Sequence, residues 1–449
     1  MAWAKYGIMV FVNVALQTFG CRLNRAEALD HEARLLADGH CVVPLDGGVP
    51  PDIIVVRGCS VTAKAEHDCR KAIARLRSQF PSARIEITGC LKAPSLNSQS
   101  PTLNSQLLPL NSHPVPLRTA RAYLKIQDGC SGRCAFCIVP SFRGKPRSVP
   151  FTQVLARAQA FLAAGYREIV VTGCNLALYR DSGHGLSDLL SALATMGTDP
   201  NGVGTDPNHV GTDPNRVGTD PWPPHRIRLS SLEPGVCDDA VLEAFATHPN
   251  ICRFIHLSVQ SGSVPILKRM NRPYTIEAVD GFCSKAERTL GLRLALGADI
   301  ITGFPGETEH DFAASRDFIL RHPFVNLHVF PYSERPGTPA ATMEGSVPLA
   351  VRRARAKELE RIGHIRREAF AKSFLGQDVE VCIERDGIGW TAEYLKCVVE
   401  DPIDSKDFKG HKNLADPNCL GRQMGRRSLV KARVVRVEGD NLHAIHSVT

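Results

Sequence analysis

Three thiols fall within eight residues of "QDGCSGRCAFC", at Cys130, Cys134 and Cys137. Sulfur ligands this close together suit a soft metal centre, and iron–sulfur clusters are held by cysteine thiolates. Three ligands on a four-iron cube leave one iron open to a substrate or cosubstrate. Zinc is the competing occupant, but a closed structural zinc site takes a fourth ligand. The next candidates along the chain are His113 and Cys174, both far from the motif.

A second set is spread out. Cys21, Cys59 and Cys90 are 38 and 31 residues apart, each preceded at once or nearly so by glycine (Gly20, Gly58, Gly89) and each just past a segment that reads as a strand. A β-α-β unit takes about thirty residues, so parallel strands would bring the three thiols to one sheet edge. They could hold another cluster with an iron to spare. The plain alternative is three semi-buried thiols, since cysteine is often buried. Cys41, Cys69 and Cys283 sit at helix or loop positions without partner spacing and read as packing residues.

The elements that must position these thiols follow from the hydrophobic pattern. Segments 11–20, 52–58 and 83–89 read as strands. Helices lie between them at 24–39, with Asn24 as N-cap and Gly39 as terminator, and at 62–80, capped by Thr62. That β-α-β-α-β order predicts a doubly wound parallel sheet. From 119 the rhythm resumes, with strand candidates "AYLKIQDG", "EIVVTG", "RIRLSS", "FIHLSVQ", "LALGADIITG" and "NLHVFPY" and a helix over 152–165. Each strand ends in polar residues or glycine, as in a parallel β/α barrel whose working face is the strand C-terminal end. Six repeats make the barrel partial. Residues 346–373 read as a basic helix with a solvated face, carrying Arg352, Arg355, Arg366 and Arg367 among others. The last segment alternates like a small β-barrel, a shape that often holds nucleic acid.

Two tracts break the pattern. LNS recurs every seven residues at 96, 103 and 110, with prolines that forbid a coiled coil, and GTDPNxV repeats through 197–221. Both read as insertions without a core, and one acid per repeat is too few for calcium. The expected organisation is an α/β chain in five parts. Residues 1–93 form an N-terminal sheet domain and 94–118 a repeat-containing linker. A barrel spans 119–345, with its insertion at 197–221. A basic helical connector covers 346–374 and a β domain 375–449.

Composition bounds the class. The chain has 449 residues, 43% apolar and 22% charged, which describes a multidomain globular protein. A net charge of +8 permits a polyanionic partner without demanding one. Fifteen cysteines in a long chain argue against a secreted disulfide scaffold. The apolar N-terminus runs into "TFGC" without a small-residue cleavage site, and no stretch of eighteen apolar residues occurs. A reducing cytoplasm and no membrane span are expected.

The Cys130-x3-Cys134-x2-Cys137 spacing after the first barrel strand, with Phe136 before the last thiol, resembles the radical S-adenosylmethionine superfamily. That resemblance implies a 4Fe–4S cluster on those three cysteines, whose open iron chelates S-adenosylmethionine for reductive cleavage to a 5′-deoxyadenosyl radical. Adding Cys21, Cys59, Cys90 and a terminal β domain, nearly the whole chain resembles the radical methylthiotransferases. These use two 4Fe–4S clusters and end in an RNA-binding TRAM domain. "TFGCRLN", "RLSSLEP" and "LHVFPYSERPGTPAATM" are similar to the branch acting on N6-threonylcarbamoyladenosine in tRNA. The substrate implied is that nucleoside beside the anticodon, methylthiolated at carbon 2, with a reductant such as flavodoxin or ferredoxin. Isopentenyladenosine or a ribosomal protein are the alternative targets, and a non-catalytic iron–sulfur RNA-binding or electron-transfer protein is the alternative class.

The resemblance and the barrel face also suggest where the cosubstrate lies. Gly173, Asn175, Glu233, Gln260, Asp299, Gly303 and Gly306 end barrel strands. Arg143 and Arg147 flank the cysteine loop and could meet anionic groups or simply be solvated. His256 and His328 read as strand packing residues. Two departures from the family pattern stand out: Arg57-Gly58 precedes the second cysteine where Asn-Thr is usual, and only 40 residues separate Cys90 from Cys130.

Overall fold

A computed structural model describes residues 11–91, 119–196, 225–234, 239–400 and 429–446. Both repeat tracts lie outside the described residues.

The N-terminal layer runs β1 (Asn13–Thr18), α1 (Arg22–Ala37), β2 (Cys41–Val42), β3 (Ile53–Gly58), α2 (Ala63–Gln79) and β4 (Arg84–Gly89). Its strands are parallel in the order β2-β1-β3-β4, so the three that precede Cys21, Cys59 and Cys90 are neighbours. Ile54, Val56 and Ala15 pack against Cys69, Ile73 and Leu76 of α2. Thr62 caps α2 as expected, accepting from the Ala65 amide at 3.1 Å. Asn24 does not cap α1, which starts after Cys21. Its amide is committed elsewhere, donating to the Phe19 and Gly58 carbonyls at 2.8 and 3.1 Å. Cys41, expected in a helix or loop, lies in the short exposed edge strand β2.

The barrel comprises β5 (Arg121–Lys125), β6 (Gln127–Asp128), α3 (Val139–Arg143), β7 (Arg147–Ser148), α4 (Phe151–Ala163), β8 (Glu168–Thr172), α5 (Leu186–Ala194), β9 (Arg226–Leu229), α6 (Asp239–Thr247) and β10 (Phe254–Gln260), then α7 (Val264–Arg269), α8 (Ile276–Leu290), β11 (Ala295–Thr302), α9 (Glu309–Arg321) and β12 (Phe324–Pro331). The six long strands form two parallel sheets, β5-β8-β9 and β10-β11-β12. Isolated parallel bridges, Ile227 with Ile251 and Leu232 with Leu257, join them into an incomplete barrel. One apolar core between strands and outer helices runs through both sheets.

α10 (Leu349–Lys372) packs against β12 and β11. Its basic face is not merely solvated. Arg352 donates to the Val347 and Tyr332 carbonyls, Arg355 pairs with Glu307, and Arg366 donates to the Phe324 carbonyl. The helix is basic because buried carbonyls and carboxylates at the barrel rim need donors. β13 (Asp378–Arg385), β14 (Ile388–Thr391), β15 (Lys396–Glu400), β16 (Leu429–Glu438) and β17 (Asn441–His446) close into a five-stranded barrel around Val379, Val381, Leu395, Val434 and Leu442.

This small barrel plugs the N-terminal end of the large one. Phe254 stacks on Tyr394 with ring centroids 4.9 Å apart, and Tyr394 stacks on Trp390 at 4.7 Å. Arg228 donates to the Thr391 and Ala392 carbonyls at 2.8 and 3.1 Å. Glu168, wholly buried, holds Arg226 and Arg228 at 2.6 and 2.8 Å.

Candidate metal and cosubstrate site

Cys59 and Cys90 immediately follow β3 and β4, and Cys21 opens α1 after the loop from β1. Because those strands are adjacent and parallel, the three thiols share one sheet edge and lie close enough to act electrostatically on one another. The glycines make that approach possible. A Cβ on Gly20 would lie 2.7 Å from the Cβ of Cys59, and its φ of +87° favours glycine. Cys69, read as a packing residue, supports the edge from α2: the Cys59 amide is 3.3 Å from its sulfur.

Cys130, Cys134 and Cys137 occupy the loop between β6 and α3, at the C-terminal mouth of the barrel. The loop is held from three sides. The Ala135 amide donates to the Met270 carbonyl at 2.9 Å, the Ala340 amide to the Ala135 carbonyl at 2.8 Å, and Asn271 to the Arg133 carbonyl at 2.8 Å. Beneath it Phe136 meets Phe304 edge-on at 6.4 Å. Burial pushes the Cys137 and Cys59 thiols up to about 11. Loading a metal there means deprotonating thiols that burial keeps protonated, and the metal's own charge drives that exchange.

Each triad has a buried guanidinium aimed at one sulfur. Nε of Arg143 is 3.2 Å from Cys90 Sγ, and Nη1 of Arg272 is 2.9 Å from Cys134 Sγ. Arg143 is neither solvated nor open to a ligand: its side chain is 2% exposed. It binds Glu27 at 2.8 Å, Asp128 at 3.1 Å and Asn24 at 2.9 Å, tying the N-terminal layer to the cysteine loop. Lys125 completes the cluster at 2.7 Å from both Glu27 and Asp128. These cations hold both carboxyls below their usual range despite burial. Arg147 stays at the rim, 3.8 Å from Asp128. Arg57, in the unusual position before Cys59, is buried and pairs with Glu27 at 3.2 Å.

The geometry distinguishes a single ion from a larger centre. Zinc–sulfur bonds of about 2.3 Å set sulfurs about 3.8 Å apart in a tetrahedron. Neither cysteine triad belongs to a group whose ligand atoms all lie within 4.8 Å of one another. Three thiols set wider than a zinc tetrahedron, with a cation beside one of them, fit an iron–sulfur cube better than zinc.

Most residues expected at the cosubstrate sit at the strand ends of the same mouth, but Asp299, expected there too, lies inside β11 with its side chain deeper in the barrel. Gly173 leaves room for Gln127, whose Oε1 accepts from the Asn175 amide at 2.9 Å, while the Asn175 side chain caps a short turn through the Ala177 amide. Glu233 pairs with Arg272, joining it to Cys134. Burial raises the Glu233 carboxyl, and Arg272 opposes that only in part. Gln260 ends β10 at a register shift with φ of +66°. Gly303 and Gly306 have a packing reason: a Cβ would meet Arg352 at 2.2 Å and Arg269 at 2.8 Å. Asp299 faces two imidazoles, His256 at 3.0 Å and His328 at 3.2 Å. Those histidines do more than pack.

The comparisons agree with this construction. Residues 124–319 match the Radical SAM superfamily, and residues 13–102 match the family described as Uncharacterized protein family UPF0004. Threonylcarbamoyladenosine tRNA methylthiotransferase MtaB of Rickettsia prowazekii is 33% identical over 84% of this chain and 89% of its own length. This chain belongs to that methylthiotransferase family. MtaB of Bacillus subtilis is 30% identical over 87% of this chain and 91% of its own. The tRNA-2-methylthio-N(6)-dimethylallyladenosine synthase of Sphingopyxis alaskensis is 29% identical over 83% and 86%.

Within this methylthiotransferase, sequence reasoning missed Asn24, Glu27 and Asp128 as the frame around Arg143, and Arg272 as the link between Cys134 and Glu233. Asp128 stands directly before Gly129-Cys130, which was a usable signal. Glu27 and Arg272 carry none, because their partners are 116 and 138 residues away.

Proposed function

We propose that this chain methylthiolates carbon 2 of N6-threonylcarbamoyladenosine beside the anticodon of tRNA. The observation that carries the reading is the pairing of two cysteine triads, one at a sheet edge and one at a barrel mouth, joined through Arg143. Cys130, Cys134 and Cys137 would hold the cluster that binds S-adenosylmethionine, and Cys21, Cys59 and Cys90 the auxiliary cluster. Bound there, the two clusters and S-adenosylmethionine supply one-electron chemistry and the methylthio group.

The chain's own residues do the rest. Gly173, Asn175, Glu233 and Gln260 line the mouth where the cosubstrate would rest, with Gly303 and Gly306 shaping the turn behind it and Asp299 deeper in the lumen. Arg272 holds Glu233 against the cysteine loop. The closed terminal barrel supports RNA binding. Along β16 Ala432 and Val434 face inward while Lys431, Arg433 and Arg436 face outward. An anticodon loop can splay its bases into an enzyme pocket. The electron donor would be a small redox protein such as flavodoxin or ferredoxin. Dependence on reduced clusters favours the cytoplasm, and among the described residues no helix is long and apolar enough to cross a membrane.

The test is mass spectrometry of tRNA nucleosides from cells with and without the gene. The methylthio derivative of threonylcarbamoyladenosine should vanish on deletion and return with the wild-type gene. Its persistence in the deletion strain would refute the assignment.

A further inference from the structure

The chemistry of the cysteine sites leaves one group of ligating side chains unused. His256 on β10, Asp299 on β11 and His328 on β12 lie on adjacent parallel strands and converge inside the barrel. Nε2 of His256 and Nδ1 of His328 approach the same oxygen, Oδ1 of Asp299, at 3.0 and 3.2 Å. One ligand atom from each residue lies within 4.8 Å of the other two, and among the described residues no other such group is found.

Two of the three spacings are those of donors around one ion, and the third closes within 4.8 Å. Bonds of about 2.0–2.2 Å from a metal to imidazole nitrogen and carboxylate oxygen place adjacent donors about 2.8–3.6 Å apart, for angles from square to tetrahedral. Hydrogen bonds alone would satisfy the two distances, but other features point past them. The strand opposite His256 carries Gly297, where a Cβ would sit 2.3 Å from His256 Nδ1. The ring is therefore seated on bare backbone, a space that any larger residue would close. Exposure also grades across the group. The His256 side chain is 3% exposed, Asp299 20% and His328 48%, so the site has a dry floor and an open side. The opposite face of β12 is covered by α10, with Gly363 against Leu327, so the open side is the lumen.

We propose that His256, Asp299 and His328 hold a divalent transition-metal ion of the zinc or ferrous class, with its remaining positions open to the barrel lumen. Two nitrogens and one carboxylate suit borderline ions, whereas magnesium and calcium favour all-oxygen sites. Two histidines and a carboxylate with vacant positions make a ligand-accepting centre. The proposal does not depend on the RNA substrate.

Zinc is the probe. Anaerobically reconstituted protein with both clusters filled is exposed to zinc, desalted and analysed for zinc and iron together. About one zinc per chain is expected beyond the cluster iron. Asp299→Asn should abolish it while leaving iron content unchanged. His328→Ala, at the exposed position, should weaken zinc affinity at least tenfold without disturbing the circular dichroism melt. Substoichiometric zinc in the wild type overturns the site, and so does equal zinc retention in both variants. Either result would leave the triad as a hydrogen-bonded pair of histidines on Asp299.

Discussion

Arg143 and Cys90, 53 residues apart, meet through an Nε to Sγ hydrogen bond of 3.2 Å at the seam between the N-terminal sheet and the barrel. The same guanidinium is bound to Glu27, Asp128 and Asn24, so its position is over-determined. Arg143→Lys keeps a cation near the carboxylates but replaces a planar fork by a single point donor. Iron content should persist while the auxiliary reduction potential falls, because a sulfur that loses its hydrogen bond is more electron-rich. A redox titration followed by electron paramagnetic resonance reads this directly, and an unchanged potential would contradict it.

Gly20 tests the auxiliary edge without touching a thiol. An alanine there would strain a backbone at φ of +87° and press on Cys59. Gly20→Ala should lower iron from about eight to about four per chain, leaving the barrel cluster intact. Iron analysis with reductive cleavage of S-adenosylmethionine separates the outcomes. Eight irons in the variant would show that the edge tolerates the Cβ.

Arg272 connects the cysteine loop to Glu233 and to the Tyr274 hydroxyl, the latter at 2.9 Å. Arg272→Gln should slow S-adenosylmethionine cleavage about 10–100-fold with iron retained, the usual cost of losing a partner behind a metal ligand. Without the guanidinium, burial is less opposed at Glu233 and its carboxyl rises further. The acid limb of the cleavage rate against pH should then move to higher pH. An identical profile would separate Glu233 from cosubstrate binding.

Glu168 is the electrostatic hub beneath the lumen. Burial raises its carboxyl, but Arg228, Arg226 and Arg121 outweigh that and hold it well below the usual 4.5. Its stabilisation is complete above the unfolded value of 4.5 and fades as pH falls through that value toward the folded one. Glu168→Gln strands two buried arginines, and such losses cost about 3–5 kcal/mol. The variant should melt lower at neutral pH and show a flatter loss of melting temperature on acidification. Equal acid slopes in the two proteins would remove Glu168 from the account.

Much of this was written in local pattern. Thr62 as a cap, the six barrel strands, the helix read over 152–165 and observed over 151–163, and the alternating terminal strands are short-range facts of propensity and periodicity. The convergence of Cys21, Cys59 and Cys90 also followed, since a parallel β-α-β chain has little choice about which strand ends share an edge. Asn24 shows where that reasoning stops: its residue type suits a cap, but carbonyls of the β1–α1 loop and β3 claim the side chain.

The sequence by itself determined the thiol positions, their spacing and the strand ends that carry them, because these depend on neighbours within one β-α-β repeat. Only the tertiary structure decided which charges face one another. Arg143 found Glu27, Arg272 found Cys134, and His256 and His328 found Asp299 across strands whose separation in the chain carries no pairing signal. Buried ionic groups need partners wherever the fold can supply them, and that supply exists only once the layers have closed.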